Sequence, residues 1–262
     1  MPDRDLQLLL DAANEAGRIA TSYTGASAVS WDKPDGAGPV TEADLAVNKM
    51  LEATLLGERP DYGWLSEESQ DNPDRLGAER SFIIDPIDGT RSFIDGSDTW
   101  AHSLAIADRG EVVAAVVFLP KRERLYAAAK GQGATLNGAP IKASAQPLLT
   151  EAKVLAARPV MHSDLWRDKA PEFQLGYRPS LAYRLALVAQ GRFDAMLTLR
   201  PTWEWDIAAG DLILREAGAV VSDRMSEPLV FNKADPRLNG VVAGGAPLQR
   251  QICDALAPVS PL

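Results

Sequence analysis

Cysteine is nearly absent from this chain. Cys253 is the only thiol, so no disulfide can form within it, as expected of a protein in a reducing compartment. Histidine is almost as scarce: His102 and His162 are too few for a typical zinc site and read as polar or packed residues. Basic residues are outnumbered, 27 Lys and Arg against 36 Asp and Glu, for a net charge of −9. That balance argues against binding a nucleic-acid polymer through a basic face. No run approaches the roughly 18 apolar residues of a membrane span. The opening MPDRDLQLLLDAANEAG lacks the basic start and apolar core of a signal peptide. A soluble, cytoplasmic protein without a membrane partner is expected.

With 262 residues, 46% of them hydrophobic and 24% charged, the chain can bury one large domain or two smaller ones. Leu6, Leu9, Leu10, Ala13, Ala16 and Ile19 recur at helical spacing, predicting a first helix that ends before Gly25. Thr41 caps a second helix, with Leu45, Val47, Met50, Leu51, Thr54 and Leu55 on a broad apolar face. Residues 62–65, 100–108, 111–119 and 124–129 read as strands, with a hairpin turn at Asp108-Arg109-Gly110. The apolar run 112–119 suits a strand buried on both faces. Further on, strands are expected at 153–157, 193–197, 219–222 and 240–243, and helices at 181–190, 207–217 and 247–256. Glycines at 131, 133 and 138 with Pro140 place a boundary near 140–150. The expectation is α+β, or mixed α/β, in two lobes: 1–145 and 146–262.

The segment FIIDPIDGTRSF, from Phe82 to Phe93, concentrates the chemistry. An apolar strand runs directly into Asp85 and Asp88, then into Gly89, Thr90 and a short helix. Hard divalent cations take carboxylate oxygens, and phosphate settles on exposed amides at helix N-termini. Three other pieces add acids at element ends: TEAD (Thr41–Asp44), SEES (Ser66–Ser69) and EWDIAAGD (Glu204–Asp211). If Glu67, Asp85, Asp88 and Asp206 converge, each pair ~5 Å apart repels by about 3 kcal/mol at an effective dielectric near 20. Bound cations, Mg²⁺ above all, would hold such a cluster together. A paired-metal site suits phosphate hydrolysis, with the phosphoryl group clamped between the ions. The plainer readings are a simple Asp-Gly turn and an EF-hand loop. The EF-hand fails, because counting from Asp85 puts Ile87 third and Gly96 twelfth, where oxygen ligands are required.

DPIDGT, preceded by SEES and followed by WDIAAGDLILREAGA, resembles the lithium-sensitive inositol monophosphatase superfamily over nearly the whole chain, from about Leu6 to Ala257. The resemblance implies a layered αβαβα sandwich and Mg²⁺-dependent hydrolysis of small phosphomonoesters, with two or three ions per site. It implies metal ligation by Glu67, Asp85, Asp88 and Asp206 through side chains and by Ile87 through its carbonyl. Thr90, supported by Asp44, would orient the attacking water, making Glu67, Thr90 and Asp44 the catalytic set. The amides of Gly89 and Thr90 would receive phosphate. The loop holding Lys33 matches the family's mobile loop, and a homodimer is expected by resemblance alone.

The substrate is less sharply drawn. Inositol-specific members usually carry Gly-Thr or Gly-Ser where this chain has Arg178-Pro179-Ser180, and an acid near the positions held here by Thr198 and Leu199. PTWEWDIAAGD resembles bacterial 3′-phosphoadenosine 5′-phosphate phosphatases, whereas GRFDAML resembles the inositol branch. Arg178 and Arg184 could meet a second phosphate, and Trp203 and Trp205 could stack an adenine. Substrate contacts are expected from Asp88, Gly89, Thr90, Arg178, Ser180 and Asp206. The reading leans to a 3′(2′),5′-bisphosphate nucleotidase, with inositol-1-monophosphatase as the alternative and histidinol-phosphate phosphatase behind it. A non-catalytic metal- or phosphate-binding relative would be favoured by loss of Thr90, Asp44 or a ligand, and none is missing.

Overall fold

A computed structural model of the protein describes residues 2–23, 28–36 and 38–258. The helix stop assigned to Gly25 lies outside the described residues. Helix α1 (Pro2–Ser22) buries Leu9, Ala12, Ala13, Ala16 and Ala20 along one face. A hairpin of β1 (Ser30–Asp32) and β2 (Pro39–Thr41) carries Lys33 in its loop. Helix α2 (Glu42–Glu58) starts with a capping box. The Thr41 hydroxyl accepts from the Ala43 and Asp44 amides, and Asp44 accepts from the Thr41 amide. Its buried stripe is Ala43, Val47, Leu51 and Leu55, narrower than the sequence suggests. Leu45 is 41% exposed and Thr54 is exposed, because an i, i+4 stripe suffices where α2 leans on α1.

The first sheet follows chain order: β3 (Gly63–Ser66), β4 (Arg80–Asp88), β5 (Ala101–Asp108), β6 (Glu111–Leu119), β7 (Arg124–Ala129), β8 (Ala134–Leu136) and β9 (Ala139–Pro140). Only β3 and β4 pair in parallel. The short α3 (Thr90–Ile94) intervenes between β4 and β5. Arg109 and Gly110 close the β5–β6 hairpin with φ of 49° and 89°, the left-handed pair that a tight two-residue turn requires.

The second sheet runs in the order β11 (Gln174–Gly176), β10 (Lys153–Leu155), β12 (Ala195–Thr198), β16 (Val241–Gly244), β14 (Val220–Ser222). A separate pair joins β13 (Thr202–Trp203) to β15 (Arg237–Leu238). Between the two sheets lie α4 (Leu181–Ala189), buried along its whole length, and α5 (Glu204–Glu216). Their side chains share one apolar core with residues of both sheets, among them Ile83, Ala115, Leu155, Met196 and Ala243. Outside, α1 and α2 cover the first sheet and α6 (Ala246–Ala255) covers the second. The order is helix, sheet, helix, sheet, helix, the expected αβαβα sandwich. Strand β6 is buried on both faces, with α1 on one side and α5 on the other. The short strands β1, β2, β8, β9, β11, β13 and β15 are additions that the sequence pattern does not signal. They have only two or three residues each, too few to establish an alternation.

Candidate functional site

The site forms where β3, β4, α3 and the N-termini of α4 and α5 meet. One carboxylate oxygen from each of Glu67, Asp85 and Asp206 lies within 4.8 Å of the others. Glu67 follows the end of β3, Asp85 sits on β4, and Asp206 opens α5. The three line a cavity of about 360 Å³ together with Asp88, Gly89, Thr90, Arg91 and Arg200.

Asp85 and Asp88 share this cavity because β4 is irregular. Between the pairs Asp85↔Ser103 and Asp88↔Ala101, β4 advances three residues while β5 advances two. In a regular strand a three-residue spacing sends side chains to opposite faces, and the extra residue of a bulge returns them to one. His102 braces this bulge, its ring Nδ1 lying 2.5 Å from the Pro86 carbonyl oxygen. Burial pulls the His102 pKa down to about 4. The ring is therefore neutral, and the carbonyl can only accept, so Nδ1 carries the proton.

Burial, the neighbouring charge of Glu67, and then Asp88 and Asp206 push the Asp85 carboxyl well above its ordinary range. Burial does the same for Asp206, joined by the charges of Asp88 and Glu67. Asp85 Oδ1 is buried with no donor facing it. An orphaned carboxylate oxygen among other acids is costly, and a hard cation is the partner that suits an all-oxygen donor set. The residues present therefore fit a divalent metal.

Asp88 is placed differently from the other three. One of its oxygens accepts from Ser180 Oγ and from the Ala182 amide, each at 2.6 Å. Burial lifts its pKa to about 6 against these donors. It lines the cavity but stands outside the three-carboxylate group. Ser180 is also the N-cap of α4, so one hydroxyl starts the helix and holds Asp88. The Ile87 carbonyl accepts from Thr90 Oγ1 at 3.2 Å, and that hydroxyl lies 3.4 Å from Asp44 Oδ1. Burial raises Asp44 to about 6. Glu68 does not join the cluster. It and Glu67 accept from Lys33 Nζ at 2.6 and 2.8 Å, and burial lifts Glu68 to about 7.

Arg178 is not brought to the cavity. Its guanidinium packs over the Phe193 ring, 5.5 Å from the centroid, and donates to the Tyr177 carbonyl. Trp203 and Trp205 stack on each other at 4.7 Å and 10°, so the indoles satisfy one another rather than an adenine in this cavity. Arg91 and Arg200 line the cavity instead. Arg91 stands inside the DPIDGT-RSF segment and could have been noticed there, next to Thr90. Arg200 lies in the connection between β12 and β13 and has no motif to announce it.

The layered fold and a carboxylate cluster beside the Gly-Thr turn define a metal-dependent phosphatase. The profile of the inositol monophosphatase family matches residues 2–258, and the chain belongs to that family. Its activity class is phosphoric monoester hydrolase. Among curated relatives, an inositol-1-monophosphatase of Rhizobium meliloti is 32% identical, covering 83% of this chain and 85% of its own length. A histidinol-phosphatase of Chlorobaculum parvum is 33% identical over 84% and 85%, and the Nus factor SuhB of Escherichia coli 34% over 83% and 84%. The solved structure of the Thermotoga maritima IMPase superposes with a TM-score of 0.81 at 26% identity, covering 97% of this chain and 96% of that one. The leaning to a bisphosphate nucleotidase finds no support among these relatives, and the inositol monophosphatase alternative is better supported.

Proposed function

We propose that this chain is a Mg²⁺-dependent phosphatase of small phosphomonoesters, with inositol 1-phosphate the substrate to which its relatives point. The convergence of Glu67, Asp85 and Asp206 within 4.8 Å around an unpartnered Asp85 oxygen carries the reading. Those three side chains, the Ile87 carbonyl and Asp88 would hold the metal, which when bound supplies Lewis acidity and a water of lowered pKa. The protein's own part is positional. Thr90 is oriented by Asp44 and Ile87, and its lone pairs can accept a hydrogen bond from a water facing the ester. The turn through Gly89, with φ of 99°, brings backbone close to where the phosphoryl group would sit. Arg91 and Arg200 offset part of the acidic field against an anionic substrate.

The test is phosphate release from inositol 1-phosphate with Mg²⁺ and with a chelator, beside L-histidinol phosphate at equal concentration. Metal-dependent release favouring the inositol ester supports the reading. A preference for histidinol phosphate would move the substrate to that relative's chemistry, and no release from either ester would refute it. A homodimer in a reducing cytoplasm completes the proposal, on the family resemblance and the solitary cysteine. Light scattering of the purified protein tests the dimer.

A further inference from the structure

The link between β12 and β13 is three residues long, 199–201, and it is held along its length. The Leu199 carbonyl accepts from Arg224 Nη1 at 2.8 Å, and the Arg200 carbonyl accepts from Thr202 Oγ1 at 3.0 Å. Pro201 restricts Arg200 to extended backbone. Gly240 lies close against the link, where a Cβ would meet the Thr198 carbonyl oxygen at 2.6 Å and Leu199 Cα at 3.3 Å.

The side chain of Arg200 is free where its backbone is fixed. It is exposed and lines the cavity that holds Glu67, Asp85, Asp88, Thr90 and Asp206. Among the described residues its guanidinium donates no hydrogen bond, and no carboxylate comes within 4.0 Å of it. An exposed arginine is most often simply solvated. Here a held backbone presents an unpaired guanidinium to a pocket of acids, and its charge reaches Asp206, opposing the rise of that carboxyl. Once the acids are met by a cation, the guanidinium is left for an anion in the same cavity.

A phosphomonoester brings about two negative charges, and the charge on its non-bridging oxygens has to be balanced through the transition state. The parallel N–H groups of a guanidinium match two oxygens of one phosphate. The Gly89 turn reaches the cavity from the end of β4 and Arg200 from the end of β12, so the two would hold the group from different sheets.

We propose that Arg200 is a catalytic residue of this site, its guanidinium donating to non-bridging oxygens of the phosphoryl group that passes to water, whichever alcohol carries that group. The inference rests on the phosphomonoesterase reading and gives that site one further contact with its substrate.

The experiment measures kcat/KM of wild type, Arg200→Gln and Arg200→Lys on inositol 1-phosphate, glycerol 2-phosphate and p-nitrophenyl phosphate, which share only the phosphoryl group. A hydrogen bond to a charged group corresponds to about 10- to 100-fold. Arg200→Gln should lose that factor on all three esters alike, and Arg200→Lys, which keeps the charge without the fork, should recover part of it. Calorimetric titration with inorganic phosphate in the presence of Mg²⁺ should show weakened binding to Arg200→Gln by a similar factor. The loss should persist in about 1 M NaCl, where the Debye length is about 3 Å. A loss that vanishes in salt would reduce Arg200 to long-range attraction and overturn the contact. A loss confined to one ester would place Arg200 on the alcohol instead and overturn it too. Arg200→Gln should keep the Mg²⁺-induced rise in Tm; its disappearance would trace the effect to Asp206 and overturn the contact. Unchanged kcat/KM on all three esters would overturn it and leave the phosphatase standing. No release from any ester by wild type would overturn the phosphomonoesterase reading, and this role with it.

Discussion

Thr90 and Asp44 meet across 46 positions of sequence, with Thr90 Oγ1 3.4 Å from Asp44 Oδ1. The other Asp44 oxygen accepts from the Thr41 amide and hydroxyl, at 2.8 and 2.5 Å. One carboxylate therefore closes the capping box of α2 and anchors the hydroxyl beside the metal-fitting cluster. A hydroxyl has a single proton. When it is directed to Asp44 or to the Ile87 carbonyl, the Thr90 lone pairs are left for a water in the cavity.

Removing that hydroxyl should impair turnover more than binding. Thr90→Ala is expected to lower kcat by roughly 10²–10⁴-fold with KM changed only a few-fold, and Thr90→Ser should recover most of the loss. Steady-state kinetics on both variants decides this. A wild-type kcat in Thr90→Ala would remove Thr90 from the positioning of water.

Asp85→Asn should act in opposite directions on stability and on metal binding. It removes a buried carboxyl whose ionisation burial and the charges of Glu67, Asp88 and Asp206 oppose, and with it the cost of that raised pKa in the folded state, so the metal-free protein should melt a few degrees higher, about 1 kcal/mol per 2–4 °C at this size. The same variant should lose most of the rise in Tm that Mg²⁺ gives wild type. Calorimetric melts with and without Mg²⁺ read both effects. A variant of unchanged stability that still responds to Mg²⁺ would take Asp85 out of the metal site.

The pH dependence of the metal-free protein follows from the raised carboxyls. Asp44 and Asp88 are lifted to about 6 and Glu68 to about 7, burial being the largest cause in each. A carboxyl whose folded pKa exceeds its unfolded value near 4 stabilises the fold at low pH and loses that contribution as pH rises through the folded pKa. Without metal, Tm should therefore fall between pH 5 and pH 8. The Mg²⁺-induced gain should grow over the same range, because the cation binds the deprotonated acids. A metal-free Tm that climbs steadily from pH 5 to pH 8 would contradict the strained cluster.

Gly210 stands where α5 crosses α4. A Cβ there would meet Leu185 Cδ1 at 2.4 Å and Cβ at 2.5 Å. Gly210→Ala should destabilise the protein by about 1–3 kcal/mol through overpacking, a shift that urea denaturation can measure. A neutral result would mean that the two helices move apart at little cost.

Ser180→Ala should cost about 1 kcal/mol by removing the α4 cap. It should also raise the Asp88 pKa further, since a donor that favours the charged form is lost. The Mg²⁺ response of Tm in this variant should require higher pH than in wild type, and an identical profile would separate Ser180 from Asp88.

Local chemistry made much of this molecule legible in the chain. TEAD announces a helix cap at Thr41 because the hydroxyl and the amides it serves lie within four residues of one another, and Arg109-Gly110 announces a turn for the same reason. The apolar run of β6 states that both its faces are covered. DPIDGT places two acids and a Gly-Thr turn in succession whatever surrounds them. Only the tertiary structure decided how those pieces meet. The bulge held by His102 returns Asp85 and Asp88 to one face, whereas a regular strand would part them. Glu67 and Asp206 arrive from distant elements, and their distance from Asp85 depends on how β3 and α5 pack against β4. Arg178, one of the two arginines that the sequence singles out, turns to Phe193, while Arg91 and Arg200, which it does not, line the cavity. Capping and turn propensity act over neighbouring residues and are written in the sequence. The direction of a long side chain, and the field it feels, depend on atoms far along the chain and are settled only by the fold.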